Sequence, residues 1–328
     1  MRQPRPELLK RREFTLLILI LLLLLAITLR SPNFFQPGNL YDILNDTAIL
    51  IMVAIGQMMV MVTGGIDLSV ASGIALAGMS VGMLNQYYPQ IPIAVIVLIS
   101  LAIGFVLGSF NGILVALAKI PPIITTLGTM SIYRGFVFVL SKGEWVSAHE
   151  MTEAFRELPR GTTAGIANLL LCALLVTAAA AIFLHLSKTG RELYAAGGNR
   201  VAAQYVGVNL RRIDYLVFTV SGIIVGLSGL LWVTRYASAQ NETASGFELQ
   251  TVAACVIGGV SSMGGCGTLW GVVLGALFLG IVNNALTVIN LSPFYQMAIQ
   301  GFVILVAIVA NTLVDRRNQL AMLRKRAL

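Results

Sequence analysis

The sequence predicts an all-α, polytopic transmembrane helix bundle of about ten helices, with both termini cytoplasmic and with broken or re-entrant helix segments. Three observations predict it. Apolar runs recur from Leu16 to Leu313, only 11% of the residues are charged against 57% hydrophobic, and Lys and Arg gather on alternate connections. An ordinary soluble domain is roughly a quarter charged, and runs this dense leave no space for a separate globular module. The 328 residues read as one membrane domain, 15–313, between a basic N-terminal arm, 1–14, and a basic tail, 314–328.

Stretches long enough to cross about 30 Å of hydrocarbon at 1.5 Å per residue fall near 15–30, 47–63, 70–85, 91–117, 123–141, 164–186, 213–233, 250–263, 268–289 and 296–313. Several are short, so Gly64-Gly65, Pro121-Pro122 and Pro293 define them as much as length does. The first run leads to Arg30-Ser31-Pro32-Asn33, a poor cleavage site, and reads as a retained helix. With the N-terminus inside, 16 of the 22 basic residues face the cytoplasm: five in the arm, Lys119, five from Lys188 to Arg212, and five in the tail. Arg30, Lys142, Arg156, Arg160 and Arg235 face outward, and Arg134 lies within a span. Membrane insertion imposes such a bias, so the net charge of +8 calls for a lipid bilayer and not for nucleic acid.

Two connections are hydrophilic. The external one, 141–163, mixes Glu144, His149, Glu150, Glu153, Arg156, Glu157 and Arg160, and is either a solvated connector or a docking surface for an external partner. The internal one, 187–212, carries a Gly-Gly pair before a short amphipathic stretch, Asn199 to Val206. Asn199 suits the N-cap and Gly207 the left-handed terminator. Ala202, Ala203, Tyr205 and Val206 would offer an apolar strip to a partner, unless the segment is a plain connector.

Polar residues in or beside the spans form the second set of candidates. Asp67 follows Gly64-Gly65 and precedes Ser69; its carboxylate is either the N-cap of the next helix or part of a gate. Gly258, Gly259, Ser261, Gly264 and Gly265 make a broken segment, which membranes tolerate where freed backbone is buried in protein or lines a watery cavity. Close packing through small residues is the alternative. Asn111 and Thr126, with Thr125 and Thr129, either line a path for a polyol or bond neighbouring helices. Asn111 and Asn283-Asn284 share a G-x-x-N context, each ten residues before a Pro, on segments of opposite direction; this suggests an inverted internal repeat. Cys172, Cys255 and Cys266 match no metal motif and no disulfide framework.

Four motifs in order, VTGGIDLSVASGIALAG at 62–78, GSFNGILVALAKIPPIITTLGTMSIYRG at 108–135, GRELYAAGGNRVAAQYVGVNLRRIDYLVFTVSG from 190 and VIGGVSSMGGCGTLWGVVLGA at 256–276, spread over most of the chain. Together they resemble the ribose-type permeases of bacterial ABC importers. Ile132-Tyr133-Arg134-Gly135 followed by Gly143, Glu144 and Trp145 is most similar to the autoinducer-2 permeases and, less closely, to those for rhamnose and ribose. Glu144 departs from that pattern, where a basic residue is more familiar.

The resemblance implies an inner-membrane importer subunit for a neutral sugar or sugar-like cargo. Its coupling helix would involve Gly198, Asn199, Ala202, Ala203 and Gly207, and its path or gate would lie among the polar and glycine positions above. The partners implied are an ATP-binding subunit dimer, a second permease copy or close paralogue, and a periplasmic substrate-binding protein. The chain has no G-x-x-x-x-G-K-[ST] phosphate cradle, so energy must arrive from elsewhere. Neither a cofactor nor catalysis is expected of it. An ion-coupled secondary transporter is the alternative, and Asp67 would be its lone relay carboxylate. A membrane enzyme would need H-E-x-x-H or paired carboxylates in the bundle, which the sequence lacks.

Overall fold

The structure, a computed structural model, describes residues 12–30 and 32–288 together with scattered positions between 292 and 309. Residues 1–11 of the basic arm, most of the expected span 296–313, Pro293 and the tail 314–328 lie outside the described residues. The chain runs α1 (Arg12–Arg30), a 3-10 turn (Pro32–Phe35), α2 (Pro37–Val62), α3 (Val70–Tyr87), α4 (Ile93–Ala116) and α5 (Pro122–Ser141). An outer segment follows with α6 (Glu153–Arg160) and a hairpin of β1 (Thr162–Thr163) and β2 (Ile166–Ala167). Then come α7 (Asn168–Leu186), α8 (Lys188–Gly198), α9 (Arg200–Tyr205), α10 (Leu210–Tyr236), α11 (Phe247–Ile257) and α12 (Leu269–Val288).

Six of these helices, α2, α4, α5, α7, α10 and α12, are long and apolar enough to cross a membrane. Their burial separates core from rim: the apolar stretch of α2 is 89% buried and that of α10 72%, whereas α4, α5 and α7 bury only 28% and turn the rest outward. Leucine and isoleucine on that rim suit lipid, which is as apolar as they are. The segment expected at 250–263 is not one span: α11 has 11 residues, about 16 Å at 1.5 Å per residue, and stops at Gly258. The helix expected from residue 47 begins ten residues earlier, at Pro37, where proline suits the first turn.

Glycine sets the helix crossings. A Cβ on Gly104 of α4 would lie 2.8 Å from the Gly226 Cα of α10, and one on Gly108 would lie 2.8 Å from the Gly222 Cα. Ser100 Oγ crosses the same seam to the Gly226 carbonyl at 2.6 Å. On the other side Gly280 of α12 lies against the Thr47 hydroxyl of α2, and Gly258 lies against the turn at Gly271 and Val272. Thus α4 packs on α10 and α12 packs on α2, with α4 and α12 running in opposite directions. That is the arrangement an inverted repeat requires of the two asparagine-bearing segments.

The connection 141–163 folds as a cap on the bundle. Thr152 N donates to Asn85 Oδ1 at 2.9 Å, Gln86 Nε2 donates to Glu150 at 2.7 Å, and Val146 pairs with Ala239 as an isolated bridge. Phe155 is fully buried beneath it. Arg134, expected within a span, donates to the Asn241 and Thr243 carbonyls at 2.7 and 3.0 Å. Those bonds fix the turn after α10 to α5.

Gly222→Val is expected to destabilise the bundle by about 3 kcal/mol, at the upper end of ordinary overpacking, because backbone lies where the side chain must go. Gly128→Ala, with nothing within 4 Å, should be neutral or slightly stabilising. Thermal unfolding of the two detergent-purified variants checks the contrast.

Candidate functional site

At the end of the bundle that the charge distribution assigns to the cytoplasm, the connection 187–212 folds as α8 and α9. Ser187 starts α8, its hydroxyl accepting from Gly190 N at 2.9 Å. Asn199 starts α9, its side chain accepting from Ala202 N at 3.0 Å. Gly207, with φ at +87°, ends the turn. The cap and terminator therefore fall where the residue types place them. One member of the expected strip does not belong to it. Ala203 is buried against the body, while Val201, Ala202, Tyr205 and Val206 are exposed, Tyr205 to 88% and Val206 to 80%.

Two devices fix α8 and α9 to the bundle. The first is a junction of three backbones. Gly265 N donates to the Val62 carbonyl at the end of α2, at 2.8 Å. Gly197 fits against the same carbonyl and Gly265 N, and a Cβ on Gly265 would lie 2.7 Å from the Gly198 Cα. Gly264, at φ +88°, completes it. The second is an ion pair: Arg200 makes a bidentate contact with Asp214 at the start of α10, one arm at 3.2 Å, and reaches the Thr63 carbonyl at 3.4 Å. Tyr194 adds a bond from its hydroxyl to the Gly267 carbonyl at 3.0 Å. Burial raises the Tyr194 phenol above its ordinary value, so it stays a donor. A cavity of about 1030 Å³ opens beside this assembly, with Thr63, Lys119, Arg200, Gln204 and Arg211 on its walls.

Deeper in the bundle, the break between α2 and α3 brings Asp67, Ser69, Asn111 and Thr126 into one buried network. Asp67 Oδ1 accepts from Ser69 N at 2.9 Å and from Ser69 Oγ at 2.6 Å, and Ser69 Oγ accepts from Asn111 Nδ2 at 2.9 Å. Thr126 donates to the Ile66 carbonyl at 3.1 Å, and Tyr133 to the Leu107 carbonyl at 2.8 Å. The Gln57 amide, oriented to satisfy both, brackets the Asp67 backbone at 3.0 and 3.2 Å. Asp67 is not the N-cap of α3: the helix begins at Val70 after Ser69, and Asp67 closes a local turn onto Ser69. The space beside the network is about 10 Å³, room for one water at most.

The second broken segment is likewise divided. Gly258 packs on α12, a Cβ there lying 2.7 Å from Val272 N, whereas Gly259, Gly264 and Gly265 have positive φ and turn the chain. Ser261 N donates to the Cys266 carbonyl at 3.0 Å, and its hydroxyl accepts from Met263 N at 3.2 Å. Sequence reasoning missed Gly197, Arg200, Asp214 and Gln57. Asp214, an acid one turn into an apolar span, was the visible signal among them.

Gly197→Ala is expected to break the three-way junction and raise protease cleavage within 187–212 several-fold. Gly198→Ala, with open space at its Cβ, should leave cleavage near that of the unaltered protein. Limited proteolysis of the intact chain measures both.

No solved structure matches the chain. The ribose import permease protein of Haemophilus influenzae is 35% identical over 306 residues, covering 93% of each chain. That of Escherichia coli K12 is 35% identical over 307 residues, 93% of this chain and 94% of its own. The autoinducer 2 import system permease protein of Enterobacter sp. strain 638 is 35% identical over 305 residues, 93% of this chain and 88% of its own. The family model described as the permease component of the branched-chain amino acid transport system matches residues 39–308. With a match of that extent on a bundle of membrane-length helices, the chain belongs to this family of inner-membrane permease components.

Proposed function

We propose that the chain is the membrane half of an ATP-binding-cassette importer for a neutral sugar or sugar-like molecule of the ribose, rhamnose or autoinducer-2 type. It works with a second copy or close paralogue, an ATP-binding subunit dimer and a periplasmic substrate-binding protein, and the ATP is hydrolysed on the partner. One observation carries the reading: α9 holds an exposed strip of Val201, Ala202, Tyr205 and Val206 on a short helix capped at both ends and tied to the bundle by Gly197, Gly265 and Arg200. A six-residue helix buries too little to justify such anchoring for itself. A partner groove over that strip explains it.

Three contacts support a path of force. A displacement of α9 pulls on Asp214 through Arg200, and so on α10. It pulls at the same time on the end of α2 and on the 264–265 turn through the glycine junction. Gly198, Asn199, Ala202 and Gly207 serve docking and shape, while Ala203 serves the seat of α9 on the body. Gly259, Ser261, Gly264 and Gly265 form the hinge this motion reaches. Asp67, Ser69, Asn111 and Thr126 hold the α2–α3 break together, and their rearrangement is the inner gate. For an ion relay Asp67 would need a free carboxylate, and Ser69 engages one of its oxygens twice.

Ala202→Glu and Tyr205→Asp should abolish co-purification with the ATP-binding subunit and cut uptake more than tenfold, with the thermal midpoint of the permease unchanged. Persistent ATP-coupled uptake in both would reject the docking role. Ala203→Leu should instead lower the midpoint, by overpacking a buried contact. The cargo is tested separately: ATPase of the reconstituted complex should rise with a ribose-loaded binding protein. A rise only with a leucine-loaded one would transfer the assignment to amino acids.

A further inference from the structure

A second cavity, of about 510 Å³, lies at the opposite end of the bundle from α9, between α2, α10, α11 and α12. Its size falls within the roughly 300–1,000 Å³ of small-molecule sites. Asp46, Trp232, Tyr236, Glu242, Asn283 and Asn284 line it. Trp232 is held edge-on by Phe247, ring centres 5.0 Å apart at 82°, with Tyr236 5.3 Å away on the same helix. The side-chain oxygens of Asn283 and Asn284 are buried and accept from no donor among the described residues. Two amide acceptors left unfilled beside an aromatic ring are costly unless a ligand supplies the protons.

The cations near the wall are already engaged. Asp46 pairs with Arg235, and Glu242 faces the field of Arg134, whose guanidinium is bonded to the turn that carries Glu242. A ligand carboxylate would find no free cation among these groups. A neutral ring with many hydroxyls meets both demands: protons for the amide and carboxylate oxygens, and a C–H face for the indole.

The position strengthens this reading. The α4 segment carrying Asn111 and the α12 segment carrying Asn283 run in opposite directions, each against the long helix of the other half. At the inner member, Asn111 is satisfied by Ser69 and the space is about 10 Å³. At the outer member the two amide oxygens have no donor among the described residues, and the space is about fifty times larger (510 against 10 Å³). Discontinuous helices at the interface of such halves are where transporters hold their substrates.

We infer that this outer chamber is a binding site for one neutral monosaccharide within a single permease chain. Trp232 packs on the sugar's C–H face, and Asn283, Asn284, Asp46 and Glu242 accept its hydroxyls. The site rests on the sugar reading above and adds to it a place where the permease itself recognises cargo.

The test uses the permease complexed with its ATP-binding subunits in nanodiscs, without the binding protein. Trp145→Phe and Trp270→Phe remove the other two of this chain's three tryptophans, and the Trp232 signal is the difference from the same complex carrying Trp232→Phe as well. Titration with D-ribose and L-rhamnose should give a saturable change in Trp232 emission with at least one of them, and L-leucine should give none. Asn283→Leu and Asn284→Leu should each raise the midpoint about five- to tenfold, and Glu242→Gln, an exposed side chain, several-fold. No saturable response to either sugar, an equal response to leucine, or unchanged midpoints in all folded variants would overturn the site. ATPase stimulation by the sugar-loaded binding protein is followed in parallel. If stimulation persists without a Trp232 response, the chamber assignment fails and the importer reading stands; if the unaltered complex is not stimulated by sugar at all, the importer reading itself fails.

Discussion

The bundle depends on contacts between backbones that only glycine permits. In lipid, apolar side chains gain nothing by leaving hydrocarbon for one another, so helices associate through close van der Waals packing and interhelical hydrogen bonds. The Gly104–Gly226 and Gly108–Gly222 contacts bring α4 and α10 together, and Gly280 does the same for α12 and α2. The same principle, applied at the end of the bundle, joins Val62, Gly197 and Gly265 into one knot. Helices so close cannot slide without collision, so the parts between the contacts move as units.

If α9 couples to an ATP-binding partner as proposed, that stiffness is what makes a six-residue helix useful as a lever. Van der Waals contact alone would let α9 rock on its seat. The bidentate Arg200–Asp214 pair fixes its orientation relative to α10, and planar, two-point geometry is what distinguishes arginine from lysine there. On the coupling reading the chain then has a stiff input at α9, and the chain turns outside the junction at the positive-φ glycines 259 and 267. Between them lies the buried network at Asp67, whose bonds must exchange if the α2–α3 break is to open. Packed interfaces have discrete arrangements and respond by switching between them.

Much of this was legible in the sequence. The caps of α9, the breaks at Gly64-Gly65 and 258–267, the clustering of Lys119 with the basic 187–212 connection and the opposed asparagine segments all follow from local chemistry. Ala203 was misread because the apolar strip was taken from composition. At about 100° per residue, Val201, Tyr205, Ala202 and Val206 fill one arc of α9, and Ala203 falls beyond it on the side of Arg200. For Asp67 the sequence left the N-cap and a gate open, and the structure removes the first: its carboxylate turns onto Ser69, which itself precedes the helix. The start of α2 was hidden by Asp42, Asn45 and Asp46, which depress hydropathy in its first turns. The outer cap and the glycine junction were beyond local reading altogether: Asn85 and Thr152 are 67 residues apart, and Val62 and Gly265 are joined across more of the chain still.

The two ends of the bundle solve opposite problems with similar residues. At the inner break, Gln57, Ser69, Asn111 and Thr126 satisfy one another and the exposed backbone, and the space between them closes to the size of a water. A connected network of this kind favours one arrangement. At the far end of α12, Asn283 and Asn284 keep buried oxygens without donors among the described residues, around an open chamber. An unsatisfied buried acceptor costs about 1–3 kcal/mol, and such costs persist in proteins mainly where function requires them. The asymmetry therefore separates the roles: the inner asparagine belongs to the lock, and the outer pair to whatever the lock admits.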